Sequence, residues 1–221
     1  MSIRPFKSDK ELMKFTRAFF RDRVRSFRKD IAICLTADAN RHHAYFPALI
    51  TCIGFVDLLS GLYAGKLEGQ SRNELKSYAA RFMDAAKYDP LRIDILYLAF
   101  RHKLAHLSFP YVVFDTTADG RELADKKHRR ITWTVHASKR SLPIKLDDHP
   151  TPQFLKRTLR PWAVSYNCRA IISVRTFQID IVKSIYGPKG YLRCLQSELI
   201  ARENFAKCMK VIFPPHEKGL I

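Results

Sequence analysis

The strongest constraint on the fold is a stretch at 46–63 that is apolar on nearly every side. Asp57 is its only charged residue. A helix of this kind has to be covered all round by other elements, so we expect it at the centre of the fold. Because Pro47, Asp57 and Ser60 interrupt it, it lacks the roughly 20 apolar residues of a membrane span, and a buried bundle helix is favoured.

Helical patterns flank this stretch on both sides. A capping box at 8–11 begins a first helix, and a second box at 71–74 begins another that runs to about residue 86. Asp89 and Pro90 are the N-cap and first residue of a helix whose apolar residues recur every three or four positions before Pro110. Two more helices are predicted at about 152–186 and 190–212. The sequence therefore predicts a mainly α, up-and-down helical bundle that forms a single domain over 1–221.

A strand-like segment interrupts the helical pattern after Pro110. The runs 111–114 and 131–135 are rich in β-branched and aromatic residues, and Asp119-Gly120 with a charged segment lies between them. A proline-rich linker with a short strand at 142–146 follows. We therefore predict a β-hairpin insert at about 111–147.

The chain is strongly basic, with a formal net charge of +18. Such an excess favours polyanionic partners, either nucleic acid or an anionic membrane surface, over an ordinary solvated basic surface. Four arginines recur at helical spacing in the first helix, and a second cluster lies at 126–130. Taken alone, a basic row on one helix is more typical of a solvated face, and an isolated basic run of an ordinary loop. The residues that we name as candidate contacts to nucleic-acid phosphates are Arg17, Arg21, Arg25, Arg28, Lys103, Lys126, Lys127, Arg129 and Arg130.

Cysteine usage indicates a reducing compartment. The five cysteines form no CxxC or other close pair, and most lie in apolar helical contexts. Residues 1–8 contain no apolar segment of the kind found in signal peptides. We therefore expect a cytoplasmic protein without a disulfide framework.

A cationic and titratable cluster lies near the end of the helix that begins at Asp89. Arg101 is followed by a polar residue, His102, and then by His106. This pattern resembles the signature of HEPN domains, which consists of an Arg, four to six residues beginning with a polar one, and a His near the end of a late helix. The sequence pattern L-Y-x-x-F-R-H-x-L-A-H at 96–106 also resembles that of bacterial HEPN-type proteins. The resemblance covers roughly the first half of the chain, and the later helices would complete the bundle.

The resemblance implies an activity and a place for it. Many HEPN domains are metal-independent endoribonucleases, so it implies RNA as substrate, no cofactor and a site shared across a homodimer. Arg101 would clamp phosphate and His106 would be the general acid or base, with His102, Asp57 and Tyr97 in supporting roles. For Asp57 the residues themselves leave two interpretations: a carboxylate in an apolar helix needs a partner, so it either pairs with Arg101 or His106 or reaches the rim of the helix. In an ideal α-helix Arg101 and His106 point about 140° apart, so a shared site needs the helix to end or a second copy to contribute.

Three alternatives remain open from the sequence. The protein can be a non-catalytic HEPN-like dimer that binds RNA or a partner protein, such as an antitoxin. His102 and His106, four residues apart, can ligate a metal if His42 or Asp57 supplies a third ligand. The cations at the helix end can also simply interact with its terminal carbonyls.

Overall fold

The computed structural model describes residues 6, 8–37, 44–68, 72–102, 113–116, 128–155 and 164–214. The side chains of Ala99, Arg101 and His102 are not among the described parts. The described residues are mainly helical, as the sequence predicts. The helical elements are α1 (Asp9–Cys34), α2 (Tyr45–Ala64), α3 (Arg72–Phe82), α4 (Pro90–Asp94), a π-helix π1 (Ile95–His102), α5 (Val174–Tyr186), α6 (Tyr191–Ser197) and α7 (Leu199–Ile212).

The apolar helix α2 lies at the centre, which confirms the expectation from its composition. It packs against α1, α3, π1, α5 and α7. Gly65 ends it in the left-handed conformation, with φ of 72°, that favours glycine. Contrary to the expectation from Pro47, Asp57 and Ser60, α2 is long and apolar enough to cross a membrane by length and composition alone, a test that core helices also pass. Half of its apolar window is buried inside the fold.

The first helix α1 begins where the capping box predicts. The Ser8 hydroxyl accepts a hydrogen bond from the Glu11 amide at 3.2 Å. Its apolar side is buried in the core through Phe20, Val24 and Phe27. The Phe27 ring stacks on Phe55 of α2, with ring centroids 4.5 Å apart. These contacts fix the orientation of the helix, and therefore of its exposed side.

The third helix is shorter than predicted, because α3 ends at Phe82 rather than near residue 86. The Asp84 carboxylate accepts a hydrogen bond from the Ala86 amide at 3.1 Å, which stabilises a turn in place of another helical turn.

An aromatic cluster around Tyr191 joins α3 to α1, α2 and α6.

The strands form a four-stranded sheet and not only a hairpin. Its strands are β1 (Phe114–Asp115), β2 (Arg130–His136), β3 (Ile144–Phe154) and β4 (Ser165–Ser173), in the order β1-β2-β4-β3. The antiparallel pairing of Phe114 with Ile131 agrees with the predicted hairpin. However, β2 also pairs in parallel with β4, and β3 pairs antiparallel with β4 with an irregularity between Asp148 and Gln153.

The predicted long helix at 152–186 is wrong. Its first residues belong to β3 and residues 165–173 form β4, so among the described residues of this range only Val174–Tyr186 is helical. The reason is a period of two in β4, where Tyr166, Cys168, Ala170 and Ile172 are buried in alternation with less buried residues. The Ser173 hydroxyl then accepts from the Thr176 amide and begins α5.

The predicted last helix at 190–212 is divided in two. Glu198 has extended backbone between α6 and α7. The Arg202 guanidinium donates to the carbonyls of Leu195 and Gln196, at 3.3 and 3.1 Å, so carbonyls at the end of α6 have a partner outside the helical ladder. This compensation allows the helix to break without a proline or glycine.

All five cysteines are free thiols, and four of them are buried. Burial raises the pKa of Cys194 and of Cys208 to about 11, and that of Cys168 to about 12. Burial also raises the pKa values of the Tyr78, Tyr88 and Tyr191 hydroxyls. Ionisation of any of these groups therefore lowers the stability of the folded state.

We expect the protein to lose stability at alkaline pH. The folded state holds these protons more tightly than the unfolded chain, so the stabilisation is complete below the ordinary thiol pKa of 9.0 and is lost as pH rises through the folded values near 11. Thermal unfolding should show a Tm that falls steadily from pH 9 to pH 11. Replacing Cys194 and Cys208 by alanine should flatten this decline, and a Tm independent of pH in that window would contradict it.

Candidate nucleic-acid interface

The four predicted arginines of α1 form an exposed row. Arg17, Arg21, Arg25 and Arg28 are all exposed, and at 100° per residue they lie within an arc of about 80° around the helix axis. Two exposed residues continue the row towards the N-terminus, Lys10 and Lys14. We call the set the α1 stripe: Lys10, Lys14, Arg17, Arg21, Arg25 and Arg28. Lys10 and Lys14 were not predicted as contacts, although their spacing continues the same pattern.

The α1 stripe is long, straight and mostly cationic. From Lys10 to Arg28 it spans about 27 Å of helix. One acidic neighbour interacts with it, since Arg21 Nε lies 3.3 Å from the Asp22 carboxylate. Both of these side chains are more than 60% exposed, so their attraction is weakened by solvent. The stripe can therefore present several positive charges along one line.

The backbone of the candidate catalytic segment differs from the prediction. Asp89 caps it as predicted, accepting from the Arg92 amide at 2.8 Å. The α-helix ends at Asp94, and Arg101 and His102 are the last two residues of the π-helix π1. The angle of about 140° between Arg101 and His106 depends on residues outside the described ranges and stays a prediction. His106 and Lys103 lie outside the described residues.

The core anchors π1 firmly. Leu96, Leu98 and Phe100 are buried, and Tyr97 is half-buried. The Phe100 ring packs edge-on against Trp133 of β2, with centroids 5.5 Å apart, and Trp133 in turn contacts Phe46 of α2 at 5.2 Å. Residues 95–102 are therefore anchored in the core.

A buried carboxylate that we did not predict holds the start of π1. The Asp94 side chain is fully buried, and its two oxygens lie 2.8 and 3.0 Å from Lys76 Nζ. Arg72 Nε lies 3.4 Å from the same carboxylate. The spacing of Arg72 and Lys76, four apart on α3, was the available signal, because it places both cations on one face. This ion cluster ties α3 to the segment that carries the motif.

Asp57, one of the three predicted supporting residues, is half-buried on α2. Helix α2 is packed against π1, so the two elements that the hypothesis connects are neighbours. The proposed pairing of Asp57 with Arg101 or His106 stays a prediction, because the Arg101 side chain and residue 106 lie outside the described parts.

Arg129 and Arg130, the two described arginines of the second predicted cluster, have partners within the protein. Arg129 forms a two-point contact with the Asp148 carboxylate, at 2.8 and 3.1 Å, and its side chain is 12% exposed. The Arg130 guanidinium donates to the Ser165 hydroxyl, and its amide donates to the Asn167 side chain. Lys126 and Lys127 lie outside the described residues. Arg129 and Arg130 therefore stabilise the sheet edge in addition to any contact with nucleic acid.

Within the described ranges, no group of three or more His, Cys, Asp or Glu side chains is placed to hold a metal ion. His42 and His106, on which the metal interpretation depends, are not in those ranges.

No family model, curated protein or solved structure matches the chain.

Proposed function

We propose that this protein binds RNA along the α1 stripe and cleaves it, without a metal ion, at a HEPN-like site formed by Arg101 and His106 in a cytoplasmic homodimer. The observation that carries the proposal is the α1 stripe itself. Six exposed cations stand along one side of a rigid helix, in a chain with a net charge of +18. Neutralising phosphates with such a row releases counterions and supplies affinity for any nucleic acid.

The buried side of α1 favours nucleic acid over a membrane surface. A helix that lies in a membrane interface inserts its apolar face between lipids. In α1 that face is occupied by the protein core, since Phe20, Val24, Phe27 and Ile31 are at most 4% exposed. The stripe is therefore left with electrostatic contacts, which suit a polyphosphate chain.

The π-helix supports a functional role for the motif segment. π-Helices are rare and occur frequently at functional sites. Here π1 is preceded by a capped turn and is surrounded by buried side chains, and its last two residues are the first two of the Arg101–His106 pattern. Such a segment can hold reactive groups in fixed positions.

The chemistry requires few groups. In the proposed reaction the ribose 2′-oxygen attacks the adjacent phosphorus, the bond to the 5′-oxygen breaks, and a 2′,3′-cyclic phosphate and a 5′-hydroxyl form. Imidazole titrates near neutrality, so one His106 would accept the 2′ proton and the partner subunit's His106 would protonate the leaving oxygen. The Arg101 guanidinium would stabilise charge on the phosphorane, with His102 in support.

Incubation with single-stranded and structured RNA in EDTA tests this proposal. We expect products with 2′,3′-cyclic ends, and a rate loss of at least about 10²-fold in Arg101→Ala and in His106→Ala, which is typical when a group that stabilises the transition state is removed. Arg175→Ala serves as the control, because Arg175 is exposed and lies outside both the motif and the predicted RNA contacts.

The outcomes separate the candidate functions. No cleavage by the unmodified protein, or equal cleavage by the motif and control variants, would contradict the catalytic proposal. RNA binding without cleavage would instead identify the non-catalytic dimer as the correct interpretation.

A further inference from the structure

An exposed aromatic side chain lies next to the α1 stripe. Tyr186 is the last residue of α5, and its side chain is 46% exposed. Helix α5 packs against α1. Burial raises the pKa of the Tyr186 hydroxyl, while the charges of Arg28 and Arg21 lower it and that of Asp22 raises it. The phenol therefore lies within electrostatic reach of two stripe arginines.

A basic residue of α5 lies one helical turn from Tyr186. Lys183 is exposed, as Tyr186 is. Residues three apart on a helix are neighbours on its surface. Lys183 therefore adds a positive charge close to the exposed ring.

We infer that Tyr186, an exposed ring at the end of the helix that packs against α1, is a stacking site for a base of single-stranded RNA. The inference rests on the proposed RNA binding and adds the class of RNA that is bound. Proteins that hold single strands combine a cationic track for the backbone with aromatic rings on which bases stack. In a duplex the bases are already stacked and paired, so its phosphates can contact the α1 stripe but its bases cannot stack on the Tyr186 ring.

The test compares a uridine-rich single strand with its duplex, both 2′-O-methylated so that the attacking hydroxyl is absent. For the full chain we expect Tyr186→Ala to weaken single-strand binding roughly ten-fold, the loss typical of one stacked base, without changing the salt dependence. Duplex binding should be unchanged. Tyr186→Phe keeps the ring and should bind like the unmodified protein.

Two further variants control for structure. Phe154 is a 63% exposed aromatic on β3, and Phe154→Ala should leave both affinities unchanged. Tyr186→Leu keeps apolar bulk without a ring, so it controls for any loss of stability in Tyr186→Ala. It should weaken single-strand binding as much as Tyr186→Ala does.

The contrary results are distinct. If Tyr186→Ala and Tyr186→Leu bind the single strand normally, or lose single strand and duplex equally, the stacking site is refuted. If Tyr186→Ala and Tyr186→Leu leave RNA affinity unchanged but neutralising Arg21 and Arg28 lowers it, the proposed RNA binding stands and only the stacking site fails. If the unmodified protein binds neither probe, both fail.

Discussion

Replacing Arg17, Arg21, Arg25 and Arg28 together by glutamine is expected to weaken single-stranded RNA binding about a hundred-fold at about 0.15 M salt. Each phosphate neutralised on a single strand contributes about 0.7 to the slope of log affinity against log salt, so the loss of four contacts lowers the slope by about 3. Glutamine keeps most of the length and helix propensity of arginine. Fluorescence anisotropy over a range of salt concentrations measures both quantities.

The single variant Arg21→Gln has a matched control on the same helix. Arg23 is exposed, but it lies about 160° around the axis from Arg21 and its guanidinium lies 5.8 Å from the Phe19 ring centroid. Arg23→Gln changes the net charge by the same amount as any single stripe variant and should leave the salt slope unchanged. If Arg23→Gln reduced the affinity as much as Arg21→Gln, only the overall charge would matter and the stripe would not be a defined surface.

Replacing Asp94 by alanine is expected to lower the free energy of unfolding by about 3 kcal/mol, because removing one member of a buried ion pair leaves its partners poorly solvated. Lys76 and Arg72, which hold this carboxylate, are themselves 28% and 29% exposed, so part of their charge can reach water in the variant. The expected loss is therefore at the lower end for such pairs. Chemical denaturation with urea measures it.

Asp30 provides the comparison for Asp94. It is an exposed carboxylate on α1, and Asp30→Ala should change the free energy of unfolding by less than about 0.5 kcal/mol. A loss of similar size in both variants would mean that the Asp94 cluster does not hold α3 to the motif segment. Since Asp94 immediately precedes π1, we also expect its loss to reduce any RNA cleavage that depends on Arg101.

The helical part of the fold was predictable where a local signal fixed it. Ser8 and Asp89 act as the N-caps that their types and neighbours indicate, and the apolar composition of α2 places it at the centre. The helical spacing of the apolar residues in α1 also predicts which of them face the core. The arginines lie at the other positions of the same helix, so they are predicted to be exposed.

The sheet was harder to predict because its decisive contacts are between distant segments. The parallel pairing of Ile131 with Cys168 joins residues far apart in sequence, and no local propensity specifies such a pairing. In β4, apolar residues that also fit a helical spacing concealed the alternation of Tyr166, Cys168 and Ala170.

The details of the site depend on tertiary structure in the same way. The change from α-helix to π-helix after Asp94 has no signature in the three-and-four spacing of the segment, since apolar residues there are buried on nearly every side. The role of Asp94 becomes visible only when α3 brings Lys76 and Arg72 to it. Tyr186 likewise gains its cationic neighbours from α1 through packing.

Crosslinking of the full chain to RNA that contains 4-thiouridine tests the central claim most directly, because the attached peptides report where the strand lies. The proposal predicts crosslinks to peptides from residues 9–34, which carry the α1 stripe, and to the peptide that contains Tyr186. Crosslinks confined to peptides from the sheet, or no crosslinking at low salt, would contradict it.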